Sequence, residues 1–569
     1  MFVKTLSEFK QAVASLPKLI AVDTETTSLN PRQAELEGIG WGDGKNQYYI
    51  DWGICDFRDE AIDAFKSLFK THEIIFHNAK FDIKIFKVVL GIDYPDKIHD
   101  TMIMSWLLNE NRGHGLKDLT TTILKRKVVK YDQVQKEVTL FDDAESIRQE
   151  MADYCCADVK NTFDLFTEFK PKMEEEDLWY CYGTIELPLI KVLTDMELKG
   201  VTIDISKLQQ LAKKAESILL EKESLVQTLV GNENINIRSS KQLRDILFTK
   251  LNIIPERMTP SGVPSTDNET LKELAKENSA VQAILDFREF DKLNGTYLKG
   301  LQEKAEEGVL HTDFLQHRTR SGRLASANPN LQNIPVRFDE FDVRQAFVPR
   351  KGYKFIIADY SQIELRVVAY FSQEEAMTKI FNEGGDIHQL TADMVGCSRQ
   401  HAKAINFGLI YGLGPTRLAK DLEISFEQAK AYMQTFFHQY PKLTSYISFV
   451  QNSGLYAGYV NTLTRRRRRF NFSRSSSKGE IESIKRKLIN TKIQGSAADL
   501  MKIAMLRINR ALKGLDAYML IQIHDEVIVE AKEDIIDEAM AKVEDAMENA
   551  VKFNIPIPVE AKIADCWKK

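Results

Sequence analysis

Two acidic sites, far apart in the sequence, each stand beside a segment typical of a buried strand. Asp359 closes the apolar run 355–358, and His524-Asp525-Glu526 separates two apolar runs that predict a hairpin. Carboxylates on neighbouring strands can hold two divalent ions about 4 Å apart, the arrangement used for in-line phosphoryl transfer. Taken singly, an aspartate at a strand end is more often a turn residue or a cap, and the acids at 524–526 are explained by a charged hairpin turn. The assignment therefore depends on what lies between the two sites.

A helix with cations and aromatics on one face is predicted between the two acidic sites. Arg399, Lys403, Phe407 and Tyr411 are spaced four residues apart, so they share one slowly drifting helical face. Two cations followed by two aromatic rings suit a triphosphate followed by a base. A solvated charged face would explain the cations but would not expose the aromatic rings beside them.

A third group of acids lies in the first 170 residues, where strands and helices alternate in an α/β pattern. Asp23 and Glu25 are two apart on a predicted strand, hence on the same side of it. Asp82 opens a predicted helix, while Tyr154 and Asp158 are four apart on another. Each pair alone is commonplace.

Together these segments resemble family A DNA polymerases, with closest likeness to the large fragment of bacterial DNA polymerase I and its phage relatives. Residues 359–366, 399–412 and 524–526 are similar to motifs A, B and C of that family, and 319–324, 330–335 and 490–499 also match. The resemblance implies a multidomain α/β and α+β chain, with a ribonuclease H-like exonuclease domain followed by a right-hand polymerase. The implied division is an exonuclease domain at 1–170, a hinge at 171–189, a thumb at 190–310, palm at 311–370, fingers at 371–455 and palm again at 456–569.

The resemblance also implies roles for the polymerase residues. Asp359 and Asp525 would hold two Mg²⁺ ions, with Glu526 secondary, and Lys403 would protonate the leaving pyrophosphate. The implied nucleotide contacts are Gln362, Glu364 as the gate against a ribose 2′-hydroxyl, His388, Arg399, Phe407 and Tyr411. The implied DNA contacts are Arg323, Asn333, Asn490, Gln494 and His524. For the two asparagines, buried polar structure is an equally good explanation.

In the exonuclease domain the resemblance implies two further Mg²⁺ ions, with Mn²⁺ as an alternative ion at either site. The implied metal ligands are Asp23, Glu25, Asp82 and Asp158, with Tyr154 orienting the attacking water. All five residues are present, which favours an active nuclease over an inactive scaffold. Asp23 lies close to the start of the sequence, so we expect no 5′ nuclease domain.

Composition sets limits without naming an activity. The chain has 569 residues, 43% hydrophobic and 28% charged, with a net charge of −5, which is acidic for a nucleic-acid binder. Its six cysteines lack metal-site spacing and indicate reduced thiols, and no segment predicts a membrane span. We expect a cytoplasmic monomer that binds primer–template DNA and dNTPs, with any processivity partner left open.

Two other functions fit part of the pattern. A single-subunit RNA polymerase has a related palm but must admit the 2′-hydroxyl, which Glu364 opposes. A non-catalytic DNA-binding subunit would be expected to lose its metal acids, whereas both sets are complete here.

One stretch departs from the family. Thr464 is followed by five arginines, Arg465 to Arg469, where relatives usually carry a glycine and about two basic residues. The run is either a solvated charged surface or a set of guanidinium groups that bind DNA phosphates.

Overall fold

The computed structural model describes residues 1–129, 144–255, 257–335, 338, 341–473 and 475–568. The N-terminal part is built on a five-stranded mixed sheet with strand order β3-β2-β1-β4-β5. Its strands are β1 (Leu19–Thr26), β2 (Leu36–Gly42), β3 (Gln47–Asp51), β4 (Glu73–Phe76) and β5 (Lys97–Asp100). Strand β1 pairs antiparallel with β2 and parallel with β4, which places it at the centre of the sheet.

Helices cover both faces of this sheet. They are Leu6–Ala14, Arg58–Thr71, Ala79–Val89, Thr101–Leu108, Leu116–Thr122 and Ala144–Glu175. The long helix Ala144–Glu175 crosses β1, β2 and β3, and it comes closest at Gly40. A Cβ atom at Gly40 would lie 2.5 Å from Cys155 Sγ and 2.9 Å from Val159 Cγ2, so only glycine permits this approach.

The segment predicted as a hinge, 171–189, is largely helical. After Ala144–Glu175 the chain continues through Trp179–Cys181, a π-helical turn at Tyr182–Glu186 and the helix Leu187–Lys199. Tyr182 and Glu186 are fully buried within it. The Lys502 ammonium donates to the Glu186 carboxylate over 2.6 Å, so this segment is joined to the C-terminal half by a buried ion pair.

A helix-rich part follows, and its hydrophobic core is continuous with one face of the second sheet described below. Its helices are Ile205–Val230, Ser240–Arg244 with a π-helical continuation Asp245–Lys250, Asn268–Leu274, and Ser279–Lys292 running through Leu293–Lys299 into Gly300–Lys304. Short strand pairs border it: β6 (Val201–Thr202) with β7 (Val309–Leu310), and β8 (Asp313–Leu315) with β9 (Ala325–Ala327). Short 3-10 turns at Leu331–Asn333 and Val343–Ala346 lead from there to the second sheet.

The second sheet is antiparallel, with strand order β13-β14-β10-β15. Its strands are β10 (Tyr353–Tyr360), β13 (Ala517–Ile523), β14 (Glu526–Lys532) and β15 (Val559–Ala564). Along β10, Ile356 and Ala358 face one hydrophobic core, while Phe355 and Ile357 face another. The sheet is therefore buried on both sides, which explains why the sequence of β10 is continuously apolar rather than alternating.

A helical part is inserted between β10 and β11 (Tyr459–Asn461). Its helices are Ile363–Ser372, Glu375–Asn382, Ile387–Val395, Arg399–Ile410, Pro415–Leu422, Phe426–Gln439 and Pro441–Ala457. The helices Lys478–Ala511 and Ile536–Glu548 complete the C-terminal part, with a 3-10 turn at Glu533–Ile535. None of the helices described is long and apolar enough to cross a membrane.

The arginine run forms the short strand β12 (Arg467–Arg469), paired with β11 (Tyr459–Asn461). Arg465 has φ +66°, the left-handed conformation that a glycine would adopt without strain. All five side chains have partners inside the protein: Arg465 with Asp177, Arg466 with Asp499, Arg467 and Arg469 with Glu176, and Arg468 with Thr491. Of the five only Arg465 is exposed, so the run is neither a solvated surface nor a row of unpaired cations.

Candidate active sites

The first site lies where β10 meets the β13–β14 hairpin. Asp359 is directly opposite Glu526 in the sheet register, and the Tyr360 amide donates to the Asp525 carbonyl over 3.1 Å. His524 and Gln362, beside the two aspartates, have φ of +52° and +53°. Such conformations are costly for non-glycine residues and are found where surrounding structure fixes a functional geometry.

A single cleft of about 720 Å³ joins this sheet edge to the helix Arg399–Ile410. Ten residues predicted from the sequence line it: Asn333, Asp359, Gln362, His388, Arg399, Lys403, Phe407, His524, Asp525 and Glu526. The structure therefore brings acids 166 positions apart in the chain together with two cations and an aromatic ring.

The helix that carries these cations is fixed at both ends. The Ser398 hydroxyl accepts from the His401 amide as the N-cap, and Tyr411 stands at the C-cap before Gly412. Arg399 Nε donates over 2.6 Å to Asp386, which itself caps the helix Ile387–Val395. Tyr411 does not line the cleft, and its buried hydroxyl has no hydrogen-bond partner among the residues described.

Glu526 is turned toward the protein rather than the cleft mouth. It is buried and accepts a hydrogen bond of 3.0 Å from Trp567 Nε1, with Arg344 Nη1 at 4.0 Å. Arg344 and Gln332 also line the cleft and were not singled out from the sequence. Gln332 lies inside the matching stretch 330–335, whereas Arg344 carries no signal of its own.

The predicted gate residue Glu364 pairs with a predicted DNA contact. Arg323 Nη2 donates to Glu364 Oε1 over 2.6 Å, and neither residue lines the cleft. Burial raises the pKa of Glu364 to about 7, with Asp525 raising it further and Arg323 opposing both effects. Near neutral pH this carboxyl is therefore poised between its charged and neutral forms.

Asn490 and Gln494 lie one turn apart on the helix Lys478–Ala511, away from the cleft lining. Asn490 Oδ1 is buried and has no hydrogen-bond partner among the residues described. These two predicted DNA contacts therefore do not line the cleft that holds Asp359 and Asp525.

The second site lies on the N-terminal sheet. Asp23 and Glu25 extend from β1, Asp82 from the first turn of Ala79–Val89, and Asp158 from Ala144–Glu175. The amide and hydroxyl of Thr24 both donate to Asp82 Oδ1, over 3.0 and 2.7 Å. All the acids predicted here thus belong to one cluster.

Burial and mutual repulsion shape the charge of this cluster. Burial, with Asp158 the largest repelling neighbour, raises the pKa of Glu25 to about 8. Burial also raises the pKa of Asp82 to about 7 and lifts that of Asp23 well above its usual range, where Glu25 adds to the effect. Burial and mutual repulsion make the charged form of these carboxylates unfavourable, and a hard divalent cation bound by their oxygens would stabilise it.

Two residues that the sequence did not single out complete the cluster. Cys155 Sγ lies 3.8 Å from Asp23 Oδ2, and Asp23, Glu25 and Cys155 offer ligand atoms within 4.8 Å of one another. Lys117 Nζ lies 2.6 Å from both carboxylate oxygens of Asp158 and 3.9 Å from the centre of the Tyr154 ring. Tyr154 also hydrogen-bonds Asp158, so Lys117 and Tyr154 both contact that carboxylate.

Comparison with known proteins places both sites in a family context. Residues 205–569 match the family model of DNA polymerase family A, and residues 2–174 match that of a 3′-5′ exonuclease. The chain is 35% identical over 600 residues to DNA polymerase I of Borreliella burgdorferi, covering 99% of this chain and 64% of that protein. It is 39% identical over 416 residues to the thermostable DNA polymerase I of Thermus filiformis, covering 71% of this chain and 50% of that one. The chain thus spans less than two thirds of the length of these relatives.

The fold has a matching solved structure. The POL domain of Pol1 from M. smegmatis, in complex with DNA primer-template and dNTP, superimposes with a TM-score of 0.86 at 28% identity. The match covers 99% of this chain and 97% of that one. The predicted fold class, an exonuclease domain followed by a polymerase domain, is confirmed. The chain belongs to DNA polymerase family A.

Proposed function

We propose that this chain is a DNA-templated DNA polymerase that adds dNTPs to a primer 3′-hydroxyl and proofreads with a 3′–5′ exonuclease, in DNA replication or repair. The observation that carries the proposal is the cleft in which Asp359 and Asp525 face Arg399, Lys403 and Phe407. The similar M. smegmatis structure holds primer-template and dNTP, which supports the same substrates here.

Asp359 and Asp525 would hold two Mg²⁺ ions at the polymerase site, and Asp23, Glu25, Asp82 and Asp158 two more at the exonuclease site. Such ions lower the pKa of an attacking hydroxyl or water and offset charge on the leaving oxygen. The raised pKa values of the exonuclease acids and the close approach of their ligand atoms fit this assignment.

The remaining cleft residues bind and orient the nucleotide. Arg399 offsets charge on the triphosphate, which requires it to exchange Asp386 for phosphate oxygens. His388, whose pKa is lowered mainly by burial, contacts the triphosphate as a neutral hydrogen-bond donor. Lys403, one turn further along the helix, donates a proton to the leaving pyrophosphate. Phe407 and Tyr411 pack against sugar and base.

The sugar and the duplex are read by other side chains. Glu364 excludes a 2′-hydroxyl, and Gln362, two residues earlier in the chain, lines the cleft. Arg323, Asn333, Asn490, Gln494 and His524 contact the minor groove, where every correct pair offers acceptors at similar positions.

In the exonuclease site Tyr154 orients the attacking water. Burial is the main cause of the raised pKa of its phenol, so it acts as a neutral donor. A frayed primer strand would reach this cluster from the polymerase cleft. We propose the domain division given above, with the exonuclease at 1–170, hinge at 171–189, thumb at 190–310, palm at 311–370 and 456–569, and fingers at 371–455.

Substitution of the two acid sets should separate the two reactions. Asp525→Ala is expected to abolish primer extension while single strands are still degraded, because it leaves the β1 cluster intact. Asp23→Ala with Glu25→Ala is expected to do the reverse. Radiolabelled primer extension and single-strand degradation measure the two activities.

The same assay discriminates the alternatives. Extension with dNTPs but not rNTPs supports a DNA polymerase, and extension with rNTPs would identify an RNA polymerase instead. Absence of both activities in a folded protein would point to a non-catalytic DNA-binding subunit. If either acid substitution removed both activities, the two-site assignment would be wrong.

A further inference from the structure

The Lys117 ammonium lies within the acidic cluster, against the Asp158 carboxylate. Lys117 follows Gly115 at the start of the short helix Leu116–Thr122, and its side chain reaches Asp158 on the neighbouring long helix. Its amine contacts both oxygens of that carboxylate at the same distance, 2.6 Å. A divalent metal ion bound by both oxygens of the carboxylate would occupy the same position.

The charge of Lys117 acts on more than Asp158. Its amine also lies 3.9 Å from the centre of the Tyr154 ring, and Cys155, next to Tyr154 on the same helix, lies 3.8 Å from Asp23. No acid outside the cluster lies within ion-pair distance of Lys117 among the residues described. The ammonium therefore belongs to the cluster and is not shared with the surface.

We propose that Lys117 is an internal counter-cation of the exonuclease site, which stabilises the metal-free carboxylates and must release Asp158 before that residue can ligate a divalent ion. This inference rests on the proposed exonuclease function. Lys117 thereby weakens metal binding and sets the divalent-ion concentration at which the site fills. It is a positioning residue for Asp158, and its contact with the Tyr154 ring links the same displacement to the water-orienting phenol.

The test is the affinity of the full chain for Mn²⁺, followed by electron paramagnetic resonance of the free ion. Asp359→Asn with Asp525→Asn supplies a parent whose polymerase cleft has lost its acids, so that binding reports the exonuclease cluster. Lys117→Met in this parent should bind Mn²⁺ about tenfold more tightly, because a cation no longer repels the ion across a few ångströms of buried space. Lys117→Arg keeps the charge and should stay close to the parent.

A matched control is Lys160→Met, which removes a lysine that pairs with Asp164 at 3.0 Å on the same long helix but outside the cluster. It should leave Mn²⁺ affinity unchanged. A second measurement covers the case of weakened folding: in EDTA, Lys117→Met should melt at a lower temperature than the parent, and saturating Mn²⁺ should raise its melting temperature by more than it raises that of the parent.

Unchanged or weaker Mn²⁺ affinity in Lys117→Met overturns the inference, since a lysine that orients Asp158 toward the ion would help binding. Nuclease activity in the polymerase-acid parent distinguishes this failure from failure of the proposed function. If the parent degrades DNA while Lys117→Met shows no gain in affinity, only the counter-cation role is wrong. If the parent neither binds Mn²⁺ nor degrades DNA, the exonuclease assignment and this inference fall together.

Discussion

At the scale of single residues, two of the predicted substrate contacts are paired with acids inside the protein. Arg399 is paired with Asp386, and Arg323 with Glu364. The first pair is exposed and costs little to break, because solvent screens both partners. The second is largely buried, and burial raises the pKa of its Glu364 carboxyl to about 7.

Glu364 should make the stability of the polymerase part depend on pH. Its pKa is about 7 in the folded protein, against 4.5 for an ordinary glutamate, so the folded state holds an extra proton between these values. The free energy of unfolding therefore falls as pH rises through this window. Between pH 4.5 and pH 8, the free energy of unfolding of Glu364→Gln should therefore rise by about 3 kcal/mol relative to that of the wild type.

Calorimetric melting of both proteins at several pH values measures this difference. Asp393→Asn, a change at an acid that accepts a hydrogen bond from Gln389 and does not line the cleft, serves as the control. A difference between Glu364→Gln and wild type that stays constant with pH would contradict the assignment.

At the scale of elements, the strands and helices next to the chemistry could be predicted from sequence patterns. The apolar run ending at Asp359, the hairpin around Asp525 and the helix beginning at Arg399 are confirmed as β10, β13–β14 and Arg399–Ile410. The meeting of Asp359 with the Asp525 hairpin was implied by the family resemblance, but contacts outside the matched motifs could not be predicted, because they depend on packing that no local pattern records. Lys117 contacts Asp158 from a separate helix, and Arg467 of β12 pairs with Glu176.

The close approach of the long helix to β2 at Gly40 should control the exonuclease. Gly40→Ala introduces a Cβ at 2.5 Å from Cys155, so the helix carrying Tyr154 and Asp158 must shift. Displacement of catalytic groups by about 1 Å can lower a rate by about a hundredfold, so we expect at least a tenfold loss of nuclease activity. Primer extension should be unaffected.

Gly183→Ala is the matched control, because a Cβ there has no atom within 4 Å. Single-strand degradation by both variants, with circular dichroism to verify folding, makes the comparison. Full nuclease activity in Gly40→Ala would show that the helix position is not decisive.

At the scale of the whole molecule, buried ion pairs join the N-terminal and C-terminal parts. Lys502 and Glu186 are 2% and 1% exposed, and Gln316 also donates to Glu186 over 2.7 Å. Lys80 and Lys84 reach Glu197 in the same way. Burying both charges costs desolvation energy. Removal of the whole pair therefore lowers stability far less than removal of one partner, which leaves the other charge buried and uncompensated.

Lys502→Met should therefore lower stability by about 3 to 5 kcal/mol, because it leaves the Glu186 carboxylate buried without its cation. Adding Glu186→Gln should restore most of the loss. Lys485→Met, which breaks an ion pair with a half-exposed Glu482, should change stability by less than about 1 kcal/mol. Differential scanning calorimetry measures all three, and equal melting temperatures for the single and double variants would contradict the role of the pair.

The strand order of the second sheet has a consequence for the chain as it is synthesised. β10 is flanked by β14 and β15, and Trp567 supplies a hydrogen bond to Glu526. The residues of the exonuclease cluster all lie within the first 158 positions. The polymerase cleft, by contrast, is incomplete until the hairpin around Asp525 has been synthesised. On the ribosome, the nascent chain therefore holds every side chain of its nuclease centre hundreds of residues before it can close its polymerase centre. Until then the apolar β10 has neither neighbour to cover its edges, and an uncovered apolar strand is prone to pair with other chains.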